Sequence, residues 1–210
     1  FLFVLLRGEL ASAELVAHGL WNGYLAQDNI IECVNSQLSS AELEVELLGS
    51  VGERLYLERA TLGAQSTRHF ILPRPIVSDR YGTYFVKLVN LADAESIHCF
   101  TAIYRRSPYG GLEYAYSLAP IEAQSGVVAG TFNSMNPAGG PTPTLNWLSL
   151  VNLSNRELRG QIEVRSSDVR EAPRVIGFTI SLGGRRDFAL GHPLGQQVGM
   201  YRILPADPQQ

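Results

Sequence analysis

Lysine is almost missing from this 210-residue chain: of its 17 basic residues only Lys87 is a lysine. An amine nucleophile therefore has one candidate, and Lys87 sits inside an apolar, strand-like run rather than among polar groups. The other cations are scattered, the net charge is −3 and the pI is near 5.8, so no basic stripe exists to bind a nucleic-acid backbone or anionic lipid. Histidine is sparse too. His18, His69, His98 and His192 fall one to a segment, without the short His or Cys spacings that build a zinc site. No Gly-x-Ser-x-Gly elbow, phosphate-cradling glycine loop or His-Glu-x-x-His helix occurs. The expectation is a protein without cofactor or metal and without catalysis of its own.

Long apolar runs are also lacking. The longest uniform one, Phe1-Leu2-Phe3-Val4-Leu5-Leu6, ends at Arg7, far short of the roughly 20 residues that span a bilayer. Followed by Ala11-Ser12-Ala13, it reads as the remnant of an export signal over residues 1–13. An alternative use of Phe1–Leu6 is as an extended strand donated to the open sheet of another subunit.

What the chain does contain is itself, twice. Asn29-Ile-Ile-Glu-Cys-Val-Asn35 returns 117 residues later as Asn146-Trp-Leu-Ser-Leu-Val-Asn152, and Tyr81-Gly-Thr-Tyr-Phe-Val86 as Val198-Gly-Met-Tyr-Arg-Ile203. A period near 117 is the size of a domain, not of a solenoid repeat. His18-Gly-Leu-Trp-Asn22 is matched by Gly130, Phe132 and Asn133, which places the linker near residues 119–125. We expect one domain over 14–120 and a second over 121–210. The second copy carries an insertion at Asn136-Pro-Ala-Gly-Gly-Pro-Thr-Pro143, a loop that cannot be a strand.

Period-two alternation recurs, whereas 3.6-residue periodicity is nearly absent after residue 25, so the chain is predicted to be all-β. In Glu42-Leu-Glu-Val-Glu-Leu47 the leucines and Val45 share one face and the glutamates the other; Gln161-Ile-Glu-Val-Arg165 repeats the pattern. Strands are expected at 15–22, 30–35, 54–62, 67–72, 82–90, 96–106 and 112–118, punctuated by Gly and Pro. Such short strands in modules near 100 residues predict two tandem antiparallel β-sandwich domains. Carrying strand 96–106 forward by 117 runs past Gln210, so the second domain is expected to lack its last strand. The pattern resembles immunoglobulin-like or fibronectin-type modules strung together in secreted bacterial proteins. It departs from antibody-type domains, which have a Tyr two residues before the second Cys; Ile97 stands there.

Cys33 and Cys99 are the only thiols and lie in strand-like segments. They form either a disulfide, which an exported chain permits, or two buried free cysteines, since Leu150 fills the matching place in copy two. Tyr109, Tyr114 and Tyr116, with Leu112 and Leu118, make an aromatic stripe suited to a sugar ring or a protein partner, or else an inner sheet face or a contact between modules. Glu42, Glu44 and Glu46 could seed a calcium site, or pair across the sheet with Arg54 or Arg59. Arg105-Arg106 and Arg185-Arg186 are expected to face solvent. Asn152-Leu-Ser154 matches a glycosylation sequon, but the repeat makes Asn152 a strand-closing residue like Asn35. The function expected is a secreted, periplasmic or cell-surface structural, adhesive or recognition protein. The alternatives are a filament subunit assembling through Phe1–Leu6 and a carbohydrate-binding module. Partners would be protein, in self-association or with a surface partner, or glycan.

Overall fold

The computed structural model describes residues 14–90, 93–121, 124, 126–135, 146–168, 170–190 and 197–207. The chain is all-β, in antiparallel sheets, and divides into two compact units, one made of the residues up to Leu48 with Arg54–Ile121, the other of Gly49–Glu53 with the residues after Ile121.

The first unit runs through β1 (Glu14–Asn22), β2 (Asp28–Asn35), β3 (Ala41–Gly49), β4 (Arg54–Leu62), β5 (Ser66–Ile71), β6 (Tyr81–Leu88), β7 (Ile97–Arg106) and β8 (Leu112–Leu118). Alternation decides which side of each strand is buried. Leu43, Val45 and Leu47 of β3 are inside, while the glutamates between them line the outer face. One sheet has the order β1-β6-β3-β4 and the other β5-β2-β7-β8. They pack face to face: the core joins Trp21, Leu43, Tyr84 and Val86 of the first sheet to Ile31, Cys33, Phe70, Ile97 and Cys99 of the second. Each large apolar side chain sealed there contributes about 1.5–3 kcal/mol relative to exposure. Buried Trp21 also satisfies its indole N–H, which donates to the carbonyls of Thr83 (2.9 Å) and Leu48 (3.1 Å).

The second unit repeats the frame with β9 (Val128–Asn133), β10 (Asn146–Val151), β11 (Leu158–Ser166), β12 (Arg174–Ile180), β13 (Arg185–Leu190) and β14 (Val198–Pro205). Its large sheet, β9-β14-β11-β12, has the same strand order as β1-β6-β3-β4. Cross-strand neighbours repeat as well. Gly19 opposite Tyr84 becomes Gly130 opposite Tyr201, and in each pair a Cβ on the glycine would lie 2.5 Å from the tyrosine oxygen, so the ring lies over bare backbone. Ile31 opposite Phe70 becomes Leu148 opposite Phe188, and an arginine two residues earlier covers each phenylalanine ring, Arg68 at 5.3 Å and Arg186 at 5.2 Å.

Asparagines hold the loops in both copies. The Asn29 amide donates to the Asn22 carbonyl at 2.7 Å, and that of Asn146 to Asn133 at 2.9 Å. Buried Asn35 donates to the carbonyls of Ser39 and Gly63; buried Asn152 donates to those of Arg156 and Ile180. These polar repeats serve the frame.

One expectation changes. The second unit's small sheet has two described strands, β10 and β13, where the first has four, so it differs by two strands rather than by one. The first unit's chain leaves β7 and returns alongside it as β8, the hairpin that the expected strands 96–106 and 112–118 describe.

Candidate functional site

Strand β10 is the centre of the strongest candidate. In β2 the backbone groups alternate between neighbours: the Asn29 carbonyl accepts from Leu72 N–H at 2.9 Å on the β5 side, and the register puts Ile30, Glu32 and Val34 on the β7 side. The same parity holds in β10. Asn152, two residues past Leu150, donates to the Gly184 carbonyl (3.0 Å) and accepts from Gly183 N–H (2.9 Å) on the β13 side. Leu148 and Leu150 therefore bond to β13, and Trp147, Ser149 and Val151 direct N–H and C=O to the other edge, where no described strand pairs with them.

The side chains record the same opening. Ile31, Cys33, Tyr84 and Val86 are fully buried in the first unit, whereas their counterparts Leu148, Leu150, Tyr201 and Ile203 are only partly buried around the second core. In the first unit β7 fills this place against both sheets: it pairs with β2 and its Thr101 hydroxyl donates to the Leu20 carbonyl of β1 at 3.1 Å. Trp147, on the outer face of β10, is 60% exposed. Chemically this is a slot for an extended backbone with apolar side chains at alternate positions.

The tyrosine stripe forms a second candidate on β8, the free edge of the first unit's small sheet. Tyr116 and Leu118 lie opposite the buried Ile103 and Thr101 and so share the inner face, yet Tyr116 is 43% and Leu112 59% exposed. They belong to an overhanging margin rather than the core. Tyr114 and Tyr116 rings stand 6.1 Å apart, Arg105 lies 5.8 Å from the Tyr114 ring and pairs with Glu113 at 2.9 Å, and Gln27 donates to the Tyr114 hydroxyl at 2.6 Å. Tyr109, at the tip of the β7–β8 turn, is 98% exposed. The Gln27 contact, 87 residues away in sequence, had no signal in the local pattern.

The cysteines are joined. Cys33 and Cys99 face each other across β2 and β7 with Cα atoms 4.1 Å apart, buried in the core. The glutamates of β3 are engaged across the sheet: Glu44 with Arg59 at 2.8 Å, Glu46 with Lys87 at 2.8 Å and Arg54 at 3.8 Å, and Glu42 with the Thr61 hydroxyl at 2.7 Å. Asn152 spends its side chain on loop carbonyls and is buried, which closes it to a glycosyltransferase. Arg185 does not face solvent as expected. It is buried and forked onto Asp187 at 2.8 and 2.9 Å, with a third bond to the Ser149 hydroxyl at 3.2 Å, because a buried guanidinium must keep a carboxylate partner. Burial depresses the pKa of His18 and raises that of Tyr84.

A groove of 590 Å³ on the second unit is lined by Arg159, Gln161, Phe178, Thr179, Arg186 and Leu204, among others; Arg159 is already paired with Glu157. Among the described residues no cluster of three or more His, Cys, Asp or Glu is placed to hold a metal ion, and no helix is long and apolar enough to cross a membrane. Phe1, Leu2, Phe3, Val4, Leu5 and Leu6, the loop 136–143 and His192 lie outside the described residues. No protein-family model matches the chain, and no curated protein matches it.

Proposed function

We propose that this chain is a non-catalytic structural, adhesive or recognition protein, exported to a bacterial surface or periplasm and built of tandem immunoglobulin-like or fibronectin-type modules. The observation that carries the reading is what the duplication has kept. The matched polar residues Asn22 and Asn133, Asn29 and Asn146, and Asn35 and Asn152 all staple loops, so the shared inheritance is a frame rather than a reactive constellation. The Cys33–Cys99 bridge is compatible with an oxidising compartment.

The test is the thiol state and location of the native protein. Protease-accessible, fully bridged protein at the cell surface or in the periplasm is the expected result; free thiols in a cytosolic pool would end the export reading. A glycan array then separates the carbohydrate-binding alternative. Glycan binding abolished by Tyr114→Ala and Tyr116→Ala at unchanged melting temperature would replace a structural role by sugar recognition.

A second reading, the filament subunit, draws on the edge of β10 with which no described strand pairs: a strand such as Phe1–Leu6 of one subunit would complete the sheet of the next, and head-to-tail addition of this kind extends indefinitely. Electron microscopy of the purified chain at high concentration distinguishes fibres from discrete particles.

A further inference from the structure

We propose that the groove across the large sheet of the second unit binds an acidic saccharide, a sugar chain that carries carboxylates. The repeat shows how the groove arises, because its walls have counterparts in the first unit. There the outer face is filled by ionic side chains: Glu42 and Glu44 of β3 stand opposite Thr61 and Arg59 of β4, and Glu44 pairs with Arg59 at 2.8 Å. In the second unit Arg159 and Gln161 take the places of the two glutamates, and Gly177 that of Arg59. A Cβ added at Gly177 would meet nothing within 4 Å, so the space that an arginine side chain covers in one copy is open in the other. Arg186 reaches the groove from β13. Its counterpart Arg68 pairs with Glu58 at 3.5 Å, but Ile176 stands in the place of Glu58. Arg186 lies over the Phe188 ring, and among the described residues no carboxylate pairs with it. The lining thus holds two guanidinium groups and no carboxylate. Arg159 is paired with Glu157, yet both side chains are exposed, and such a pair contributes little against a competing carboxylate.

Shape decides between a sugar and a peptide. The groove passes over residues 204–206 at the end of β14, 159–161 of β11 and 177–179 of β12, so it crosses three neighbouring strands, about 10 Å in the hydrogen-bonding direction. A peptide added to the free edge of β12 would run along that strand instead. Its 590 Å³ lies within the range of small-ligand sites. The two arginine forks match carboxylates, the Gln161 amide and Thr179 hydroxyl match sugar hydroxyls, and Leu204 with Pro205 offers an apolar margin to the C–H face of a ring. A chain of uronic acids presents these three kinds of group together. The proposal goes beyond the structural reading above, which places no ligand on this unit, and does not rest on it.

The experiment is calorimetric titration of the full chain with a galacturonate trisaccharide, its neutral galactose counterpart and a triglutamate peptide. The expected result is binding of the uronate alone, weakened by added salt. Arg186→Gln and Arg159→Gln should each weaken it at least about tenfold at unchanged melting temperature. Ile176→Glu, which gives Arg186 the carboxylate that Arg68 has, should weaken it too, and Gly177→Leu, which fills the open space on an exposed position, should abolish it. Tyr114→Ala with Tyr116→Ala should leave it intact, because those rings belong to the first unit. Backbone amide shifts of Gly177 and Thr179 during titration locate the site in the unsubstituted protein, should a variant unfold. No binding of the uronate, equal binding of the neutral sugar, equal binding of the peptide, binding indifferent to the groove substitutions, or amide shifts confined to other residues would each overturn the proposal. The thiol and localisation results do not enter this outcome, so a failure here leaves the exported structural reading standing, and a cytosolic, reduced protein that still binds the uronate would sink that reading alone.

Discussion

In the first unit a tyrosine, two aliphatic residues and a cysteine, namely Tyr84, Ile31, Val86 and Cys33, are shut away from water; in the second the residues at the same places, Tyr201, Leu148, Ile203 and Leu150, are half open. The strand order of the large sheet, the aromatic over glycine and the loop-stapling asparagines are the same in both. The difference accompanies β7 and β8, which have no counterpart among the described strands of the second unit. The frame is thus common to both units where the burial of their described interiors differs: register is held through local pairs and loop clamps in each. The covalent link follows the same division, since Cys99 belongs to the strand that closes the first unit, and Leu150, with no such neighbour among the described residues, takes the place of its partner.

The largest expected effect tests that division. Replacing both cysteines, Cys33→Ala with Cys99→Ala, should destabilise the first unit by about 4 kcal/mol, the chain-entropy value for a bridge spanning 66 residues, and leave the second unchanged. Denaturant unfolding followed by hydrogen exchange in each unit reads this directly. An equal loss in both units would show that they do not unfold separately. Next, Ile31→Ala should cost about 3 kcal/mol and Leu148→Ala only about 1 kcal/mol, because the second site is already partly in water and can relax. Equal losses would mean that Leu148 is sealed in solution and the slot filled.

Smaller effects sharpen the likeness rather than the contrast. Asn35→Ala and Asn152→Ala each strand buried loop carbonyls and should each cost about 2 kcal/mol in their own unit, as denaturant melts would show. In β11, Gly160→Leu should destabilise by roughly 1–3 kcal/mol, since a Cβ there would lie 2.5 Å from the Leu204 carbonyl oxygen and 2.7 Å from the Phe178 ring, and adding Phe178→Ala should recover only the ring's share of the loss. A double-mutant cycle measures that coupling. The smallest effect is that of His18. Burial holds its folded-state pKa below the ordinary value near 6.5, so the unfolded chain takes the proton more readily: stability is intact above that pH and declines as pH falls through it toward the depressed value. Melting temperature against pH should lose this acid-side slope in His18→Gln.

The strands were legible because their alternation is strict. The run Glu42 to Leu47 announces its buried face, and the predicted span 54–62 coincides with β4, as 112–118 does with β8. The duplication made the register of β10 readable from β2, down to Leu148 over Phe188. The readings of β8 stayed open because alternation reports which side chains share a side, not whether an opposing sheet extends far enough to cover them. Tyr116 points inward and is still wet. Arg185 escaped for a related reason: its Asp187 partner lies two positions on, the ordinary spacing of same-face strand neighbours, and nothing in that spacing distinguishes a solvated pair from a buried one.

One exchange between the modules bears on how the chain reaches its native state. Leu43 opposite Ala60 in the first unit is replaced by Gly160 opposite Phe178 in the second, a bulky side chain traded from one strand to its neighbour at nearly constant total volume. Adjacent repeats are prone to swap strands while folding, and here a swap is penalised both ways: β3 against β12 would force Leu43 into Phe178, and β11 against β4 would leave Gly160 and Ala60 around a void. The two halves are similar enough to share an architecture and mismatched enough that each nascent hairpin finds its own partner.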